Sequence, residues 1–112
     1  MVSEPGLLPN LVGKRIRSRR EELGWSQEKL GVQIGLDESS SRARISRYEL
    51  GNHEPQLGTS RNIAKALGVP LAYLYCEEND VAELLLALGT LPVKRRGAVI
   101  ANWLETTGQP GI

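Results

Sequence analysis

Apolar residues recur along this chain at three- and four-residue spacing, in short blocks separated by glycines and prolines. That is the periodicity of amphipathic helices. The block "LVGKRIRSRREEL" puts Val12, Ile16 and Leu23 on one face and charges on the other. Asn10 suits the cap before it, Gly24 the stop after it, and Trp25 an apolar anchor beyond the stop. Next, Ser26 is placed to cap "QEKLGVQI", with Glu28 in the first turn and Leu30 and Ile34 turned inward as far as Gly35. Gly31 inside this helix costs about 1 kcal/mol relative to alanine, which close approach of another helix would explain. A third helix carries Ile45 and Tyr48 to the core and ends at Gly51. "NHEPQLGT" reads as a loop. "SRNIAKAL" is a fourth helix with Ile63, Ala64 and Leu67 inward and Gly68 as its stop, and Pro70 opens a short fifth, "PLAYLY". After the polar break "EEND", Val81, Leu84, Leu85 and Leu88 form one stripe. Gly89 and Thr90 turn the chain, and Pro92 opens a last helix with Val93, Ile100, Trp103 and Leu104 expected inward. The first nine residues and the closing "TTGQPGI" read as loose ends. The pattern predicts an all-α chain of seven helices with no strand and no repeat.

Length and composition narrow the class. At 112 residues the chain holds one domain, or a small domain with an appendage. Its net charge of +1 says little about an anionic partner, so the placement of charge matters more. "KRIRSRR", residues 14–20, holds five of the fourteen Lys and Arg. Most of it reads as the solvated face of the first helix, with Lys14 and Arg15 as phosphate candidates near the helix start. Arg42, Arg44 and Arg47 fall away from Ile45 and Tyr48. One cysteine, Cys76, excludes an intrachain disulfide and suits a reducing compartment. No signal peptide is legible and no apolar run approaches the ~18 residues needed to span a membrane, so the expectation is a cytoplasmic protein. His53 is the single histidine, and a zinc site needs about four ligands, so no metal or other cofactor is expected. No catalytic triad, paired-carboxylate cleft or phosphate-binding loop stands out, which argues against an enzyme. Trp25, Tyr73 and Tyr75 read as core or rim.

Two short helices joined by a glycine-containing turn, the second with exposed basic residues, form the helix-turn-helix pattern. A DNA major groove is about 12 Å wide and admits one helix. Such a helix needs one buried face to hold it and one polar face to read bases. Ile45 and Tyr48 supply the first, Arg42, Arg44 and Arg47 the second. Arginine fits because its fork matches guanine O6 and N7 and also clamps phosphates.

"VGKRIRSRREELGWSQEKLGVQIGL", "ARISRYELGNHEP" and "NIAKALGVPLAYLY" together resemble the phage-repressor-type helix-turn-helix family, the lambda-repressor and Cro class, over roughly residues 11–75. The resemblance implies a five-helix DNA-binding domain and specific roles within it. Gln27 would meet a phosphate and support the recognition helix. Ser41, Arg42, Ala43 and Arg44 would begin that helix, with Ser46 beyond them and Arg47 as a second base-reading position one turn on. Arg42 and Arg47 are expected on one face toward base edges, and Arg44 to the side toward a phosphate. Asn52 falls in a backbone-contacting loop, and Arg20 with Glu49 matches a structural ion pair. The chain departs from the family between Gly35 and Ile45, which lie ten positions apart where about six are usual. The four extra residues amount to about one helical turn. They either prolong the third helix at its N-terminus or lengthen the turn before it. Asp37, Glu38 and the serines after them read as turn and cap chemistry.

The expected organisation is a flexible arm over residues 1–10, a helix-turn-helix domain over 11–76 and a helical hairpin over 77–112. The hairpin has more apolar surface than it can bury alone, so it either docks on the domain or joins a second subunit. The expected function is a sequence-specific double-stranded-DNA-binding regulator, a repressor acting as a homodimer in a bacterium or phage. The alternative is an antitoxin-like or regulatory-subunit module whose C-terminal helices bind another protein, with DNA binding secondary.

Overall fold

The computed structural model of the chain describes residues 10–107. Seven helices follow one another: α1 (Leu11–Glu22), α2 (Gln27–Gln33), α3 (Glu38–Leu50), α4 (Leu57–Leu67), α5 (Leu71–Leu74), α6 (Asn79–Gly89) and α7 (Val93–Thr106). No strand occurs among the described residues. The expected loose ends, residues 1–9 and most of the C-terminal tail, lie outside them.

Helix starts depart from the sequence pattern in informative ways. The four extra residues prolong α3: Glu38, Ser39, Ser40 and Ser41 form its first turn, and only Ile34–Asp37 connect it to α2. Asp37 stands at the cap position without a side-chain cap bond; its backbone carbonyl accepts from the Ser41 N–H (2.9 Å) and from both the Ser40 and Ser41 hydroxyls. Asn10 also holds a cap position without capping through its side chain, which lies against the Gly51 turn. Ser26 does cap, its Oγ accepting from the Lys29 N–H at 3.0 Å. α4 begins at Leu57, three residues before the expected start. Pro55 is buried and Gln56 extended, and the Gln56 carbonyl accepts from the Ser60 N–H, so Gly58 and Thr59 already lie in the helix.

The core gathers one to three residues from each of the first five helices. Ile16, Leu30, Ile45, Ile63, Leu67 and Leu74 are fully buried, with Val12, Tyr48, Ala64 and Tyr73 around them. Each such side chain removed from water contributes about 1.5–3 kcal/mol. Ser60, in the same core, satisfies its hydroxyl by accepting from the Tyr75 O–H at 2.8 Å. Trp25 and Tyr75 are half-buried at the rim. α6 docks on this body through buried Ala82 and half-buried Leu85 and Leu86. α7 does not follow it: the helix has no buried residue. Val93 is 75% exposed, Trp103 53% and Leu104 50%, so three of the four residues expected inward face solvent, and Ile100 is only half-buried. On α6, Val81 and Leu84 are exposed as well. α7 is thus not packed along α6 as the expected hairpin, and both helices leave part of their apolar stripe uncovered among the described residues.

Two contacts hold α3 against α1 and α2. In the first, Gly31 and buried Ser41 meet where the two helices cross; a Cβ on Gly31 would fall on the Ser41 side chain, 2.8 Å from its Cα. That close approach accounts for the glycine in α2. α1 approaches α3 in the same way at Gly13, where a Cβ would sit 2.6 Å from the Glu49 carbonyl oxygen. In the second contact, Arg20 and Glu49 form a buried two-pronged pair, Nε–Oε2 at 2.6 Å and Nη2–Oε1 at 3.0 Å. The third guanidinium nitrogen of Arg20 donates to the Trp25 carbonyl (2.7 Å), and Gln27 Nε2 donates to Glu49 Oε1 (3.0 Å). The hydrogen bond to Glu49 raises the Arg20 pKa above its already high value, against the effect of burial, so the guanidinium stays charged.

Both contacts predict measurable losses. Gly31→Ala gains helix propensity but overlaps Ser41, so it lowers unfolding free energy by about 1–3 kcal/mol in chemical denaturation; a more stable variant would contradict the crossing. Glu49→Gln leaves a buried guanidinium without its counter-charge. It should lower stability by about 3–5 kcal/mol and weaken binding to every DNA sequence alike. Unchanged thermal unfolding, with preference altered at one base pair, would refute the structural role.

Candidate nucleic-acid interface

α3 is buried along one face by Ser41, Ile45, Tyr48 and Glu49. Each residue advances about 100° round the helix. With Ile45 pointing inward, the outer arc runs from Arg42 through Ser46, Ala43 and Arg47 to Arg44. Arg42, Ala43, Arg44 and Arg47 are exposed and Ser46 half-buried. Among the described residues none of the three arginines has an ion-pair partner. Three free guanidinium groups thus share the outer surface of one helix whose other side is fixed.

The placement corrects one expectation. Arg42 and Arg47 are five positions apart, about 140° round the helix, and do not share a face. Arg42 lies on the α2 side, beside a cleft it shares with Arg20, Ser26, Gln27 and Glu28. Arg44 stands at the opposite edge. Arg47 and Ala43, four apart, occupy the centre of the arc. Leu50, 57% exposed, continues that central line and was not singled out by sequence; its spacing from Ala43 and Arg47, seven and three positions, is the signal that marks it. Ser39 and Ser40 are also exposed, in the added first turn.

Other expected site residues divide. Ser41 is fully buried and its hydroxyl donates to the Asp37 carbonyl at 2.7 Å, so it packs the α2–α3 crossing and offers nothing to a base edge. Gln27 supports α3 through its bond to Glu49 and remains half-exposed. Asn52, exposed, follows α3 directly, its N–H donating to the Arg47 carbonyl. Lys14 is exposed near the start of α1. Arg15 is committed elsewhere. Its Nε and Nη2 donate to the Cys76 carbonyl (3.1 and 2.7 Å) and its guanidinium lies 5.8 Å from the Tyr73 ring centre. It ties α1 to the end of α5 and is not a free phosphate ligand. Arg19 does similar work at the end of α4, donating to the Leu67 carbonyl at 3.0 Å. Nothing in the helical periodicity marks either arginine for these carbonyls, because the carbonyls lie 61 and 48 positions away. No helix among the described residues is long and apolar enough to cross a membrane.

Comparison with known proteins identifies the family. A helix-turn-helix family model matches residues 16–74. The solved structure of the transcriptional regulator BswR superposes with a TM-score of 0.74 at 36% identity, covering 86% of this chain and 95% of that one. Residues 1–76 are about two thirds of the chain, so that superposition includes part of the C-terminal helices. An HTH-type transcriptional regulator of Sinorhizobium medicae (strain WSM419) is 39% identical over 64 residues, 57% of this chain and 43% of that protein. A transcriptional regulator in the ATPase CF(0) region of Rhodospirillum rubrum is 38% identical over 66 residues, 59% of this chain and 57% of that protein. The chain thus spans about half the length of the curated relatives it matches. With the matched segment running from α1 through α5 and the outer face of α3 at its centre, this chain belongs to the helix-turn-helix family of DNA-binding transcriptional regulators.

Proposed function

We propose that the chain binds double-stranded DNA sequence-specifically, as a symmetric dimer on two half-sites, and represses transcription by occupying its operator. The observation that carries this reading is the outer arc of α3, three unpaired arginines on a helix anchored by Ile45, Tyr48 and the Arg20–Glu49 pair. In a major groove the centre of that arc faces the floor and its edges face the walls. Arg47, beside the small Ala43, is the base reader, where its fork can take guanine O6 and N7. Arg44, at one edge, meets a phosphate. Arg42, beside the start of α2, reaches the groove wall with Gln27 next to it, and Ser46 lies between Arg42 and Ala43. Lys14 and Asn52 supply further backbone contacts, which position the protein without reading sequence. One helix contacts only a few base pairs, so specificity requires two copies with half-sites about 34 Å apart. No step of catalysis and no cofactor enters this mechanism.

The exposed apolar side of α7 favours a partner protein, and a module for which DNA is secondary is the second reading. Gel shifts on duplex DNA at low and high salt separate the two. The operator-binding reading predicts a sequence-dependent complex; absence of any complex at low salt favours the second. Arg47→Ala should cost about 1–3 kcal/mol and relax preference at one position of each half-site. Arg44→Ala should weaken all sequences and flatten the salt slope by about 0.9 per copy. Equal slope changes in both variants, with the preferred site intact, would mean that Arg47 holds the backbone only.

A further inference from the structure

We infer that the uncovered side of α6 and α7 is the seat of a second copy of this chain, laid antiparallel across a twofold axis. The inference deepens the reading of the protein as a regulator of paired half-sites, because it names the surface that joins the two copies.

Three observations converge on it. First, among the described residues, six of the nine large apolar side chains left exposed belong to α6 and α7: Val81, Leu84, Val93, Val99, Trp103 and Leu104. On α7, Val93, Gly97, Ile100 and Leu104 follow at four-, three- and four-residue steps, the spacing of a helix-pairing seam, with Val99 and Trp103 about 100° to one side of it. Second, Gly97 stands inside α7, where glycine weakens a helix. Among the described residues nothing lies within 4 Å of where its Cβ would be, so none of them accounts for it. A helix from outside, approaching at Gly97, does. Third, charge is segregated and self-complementary. Glu78, Asp80 and Glu83 crowd the start of α6, and Lys94 and Arg95 the start of α7; all are exposed and none is ion-paired among the described residues. Along α6 (Asn79–Gly89), Asp80 and Glu83 stand about 14 and 9 Å before the helix end that leads to α7. Within one chain they stay apart. A twofold-related copy brings the basic end of each α7 to the acidic end of the other copy's α6, twice over. A surface whose two halves complement each other in this way selects its own copy, since an isologous contact uses the same patch on both sides.

Charge reversal in the full-length chain tests this directly. Sedimentation equilibrium should show the intact protein as a dimer at micromolar concentration. Reversing the basic end (Lys94→Glu with Arg95→Glu) and reversing the acidic end (Asp80→Lys with Glu83→Lys) should each raise the dimer dissociation constant about tenfold or more. Combining all four substitutions should bring it back to within a few-fold of the intact chain. Gly97→Leu should weaken the dimer while leaving helix content unchanged or higher by circular dichroism. An intact chain that is monomeric at 100-fold higher concentration, about 0.1 mM, would overturn the inference, as would a fourfold variant no better than the two partial ones. Gel shifts on the same samples keep the two readings separate: an intact chain that stays monomeric yet binds DNA sequence-dependently refutes only the interface, and a sound dimer with no DNA binding refutes only the operator reading.

Discussion

The Arg20–Glu49 pair is the contact on which the presentation of α3 depends. Arg20 comes from α1, Glu49 from the last turn of α3, and Gln27 at the start of α2 donates to the same carboxylate. The Arg20 guanidinium also takes the Trp25 carbonyl, which fixes the chain between α1 and α2. Burying these charges is expensive unless every donor and acceptor is met. Among the described residues no buried side-chain nitrogen or oxygen lacks a partner. The arrangement thus joins three helices at one point and leaves few alternative orientations for α3. The Gly31–Ser41 crossing sets the other end of that helix. With both ends held, α3 presents its outer arc on a helix whose orientation is fixed.

Basic residues in this molecule do two kinds of work, and their neighbours decide which. Arg15, Arg19 and Arg20 spend their guanidinium groups on carbonyls and a carboxylate that tie helix ends to the body. Among the described residues Arg42, Arg44 and Arg47 have no such partner. The near-neutral net charge conceals this division. The unpaired positive charge is concentrated on α3, with exposed Asp37 and Glu38 at its start limiting how far it extends.

Much of the fold was legible because apolar spacing is a direct image of burial. Ile16, Leu30, Ile45, Ile63 and Leu67 lie where the periodicity puts them, and the Gly31 anomaly pointed to a helix crossing that exists. Arg20 with Glu49 was legible only through family resemblance, since nothing local pairs residues 29 positions apart. Ser41 misled because register says where a residue sits along a helix and not which side faces a neighbour; its contact with Gly31 decides that. Arg42 and Arg47 misled for the same reason, five positions being neither one turn nor two. The start of α4 was missed because Gly58 and Thr59 are poor helix formers and buried Pro55 outweighs them. The C-terminal stripe was read correctly as apolar and as more than a hairpin can bury alone, but Val93, Trp103 and Leu104 were expected inward and face solvent: periodicity reveals a face that must be covered, and says nothing of whether the cover belongs to the same chain.

The account turns on α3 being the surface that meets DNA. An NMR titration of the full chain with a duplex selected for binding from a random pool tests that most directly, following backbone amides and arginine Nε groups together. The account predicts that the largest shift changes fall on Ser39–Arg47 of α3, Gln27 and Asn52, with Arg15, Arg19 and Arg20 nearly still. Changes concentrated on α6 and α7, with the α3 arginines unmoved, would contradict it.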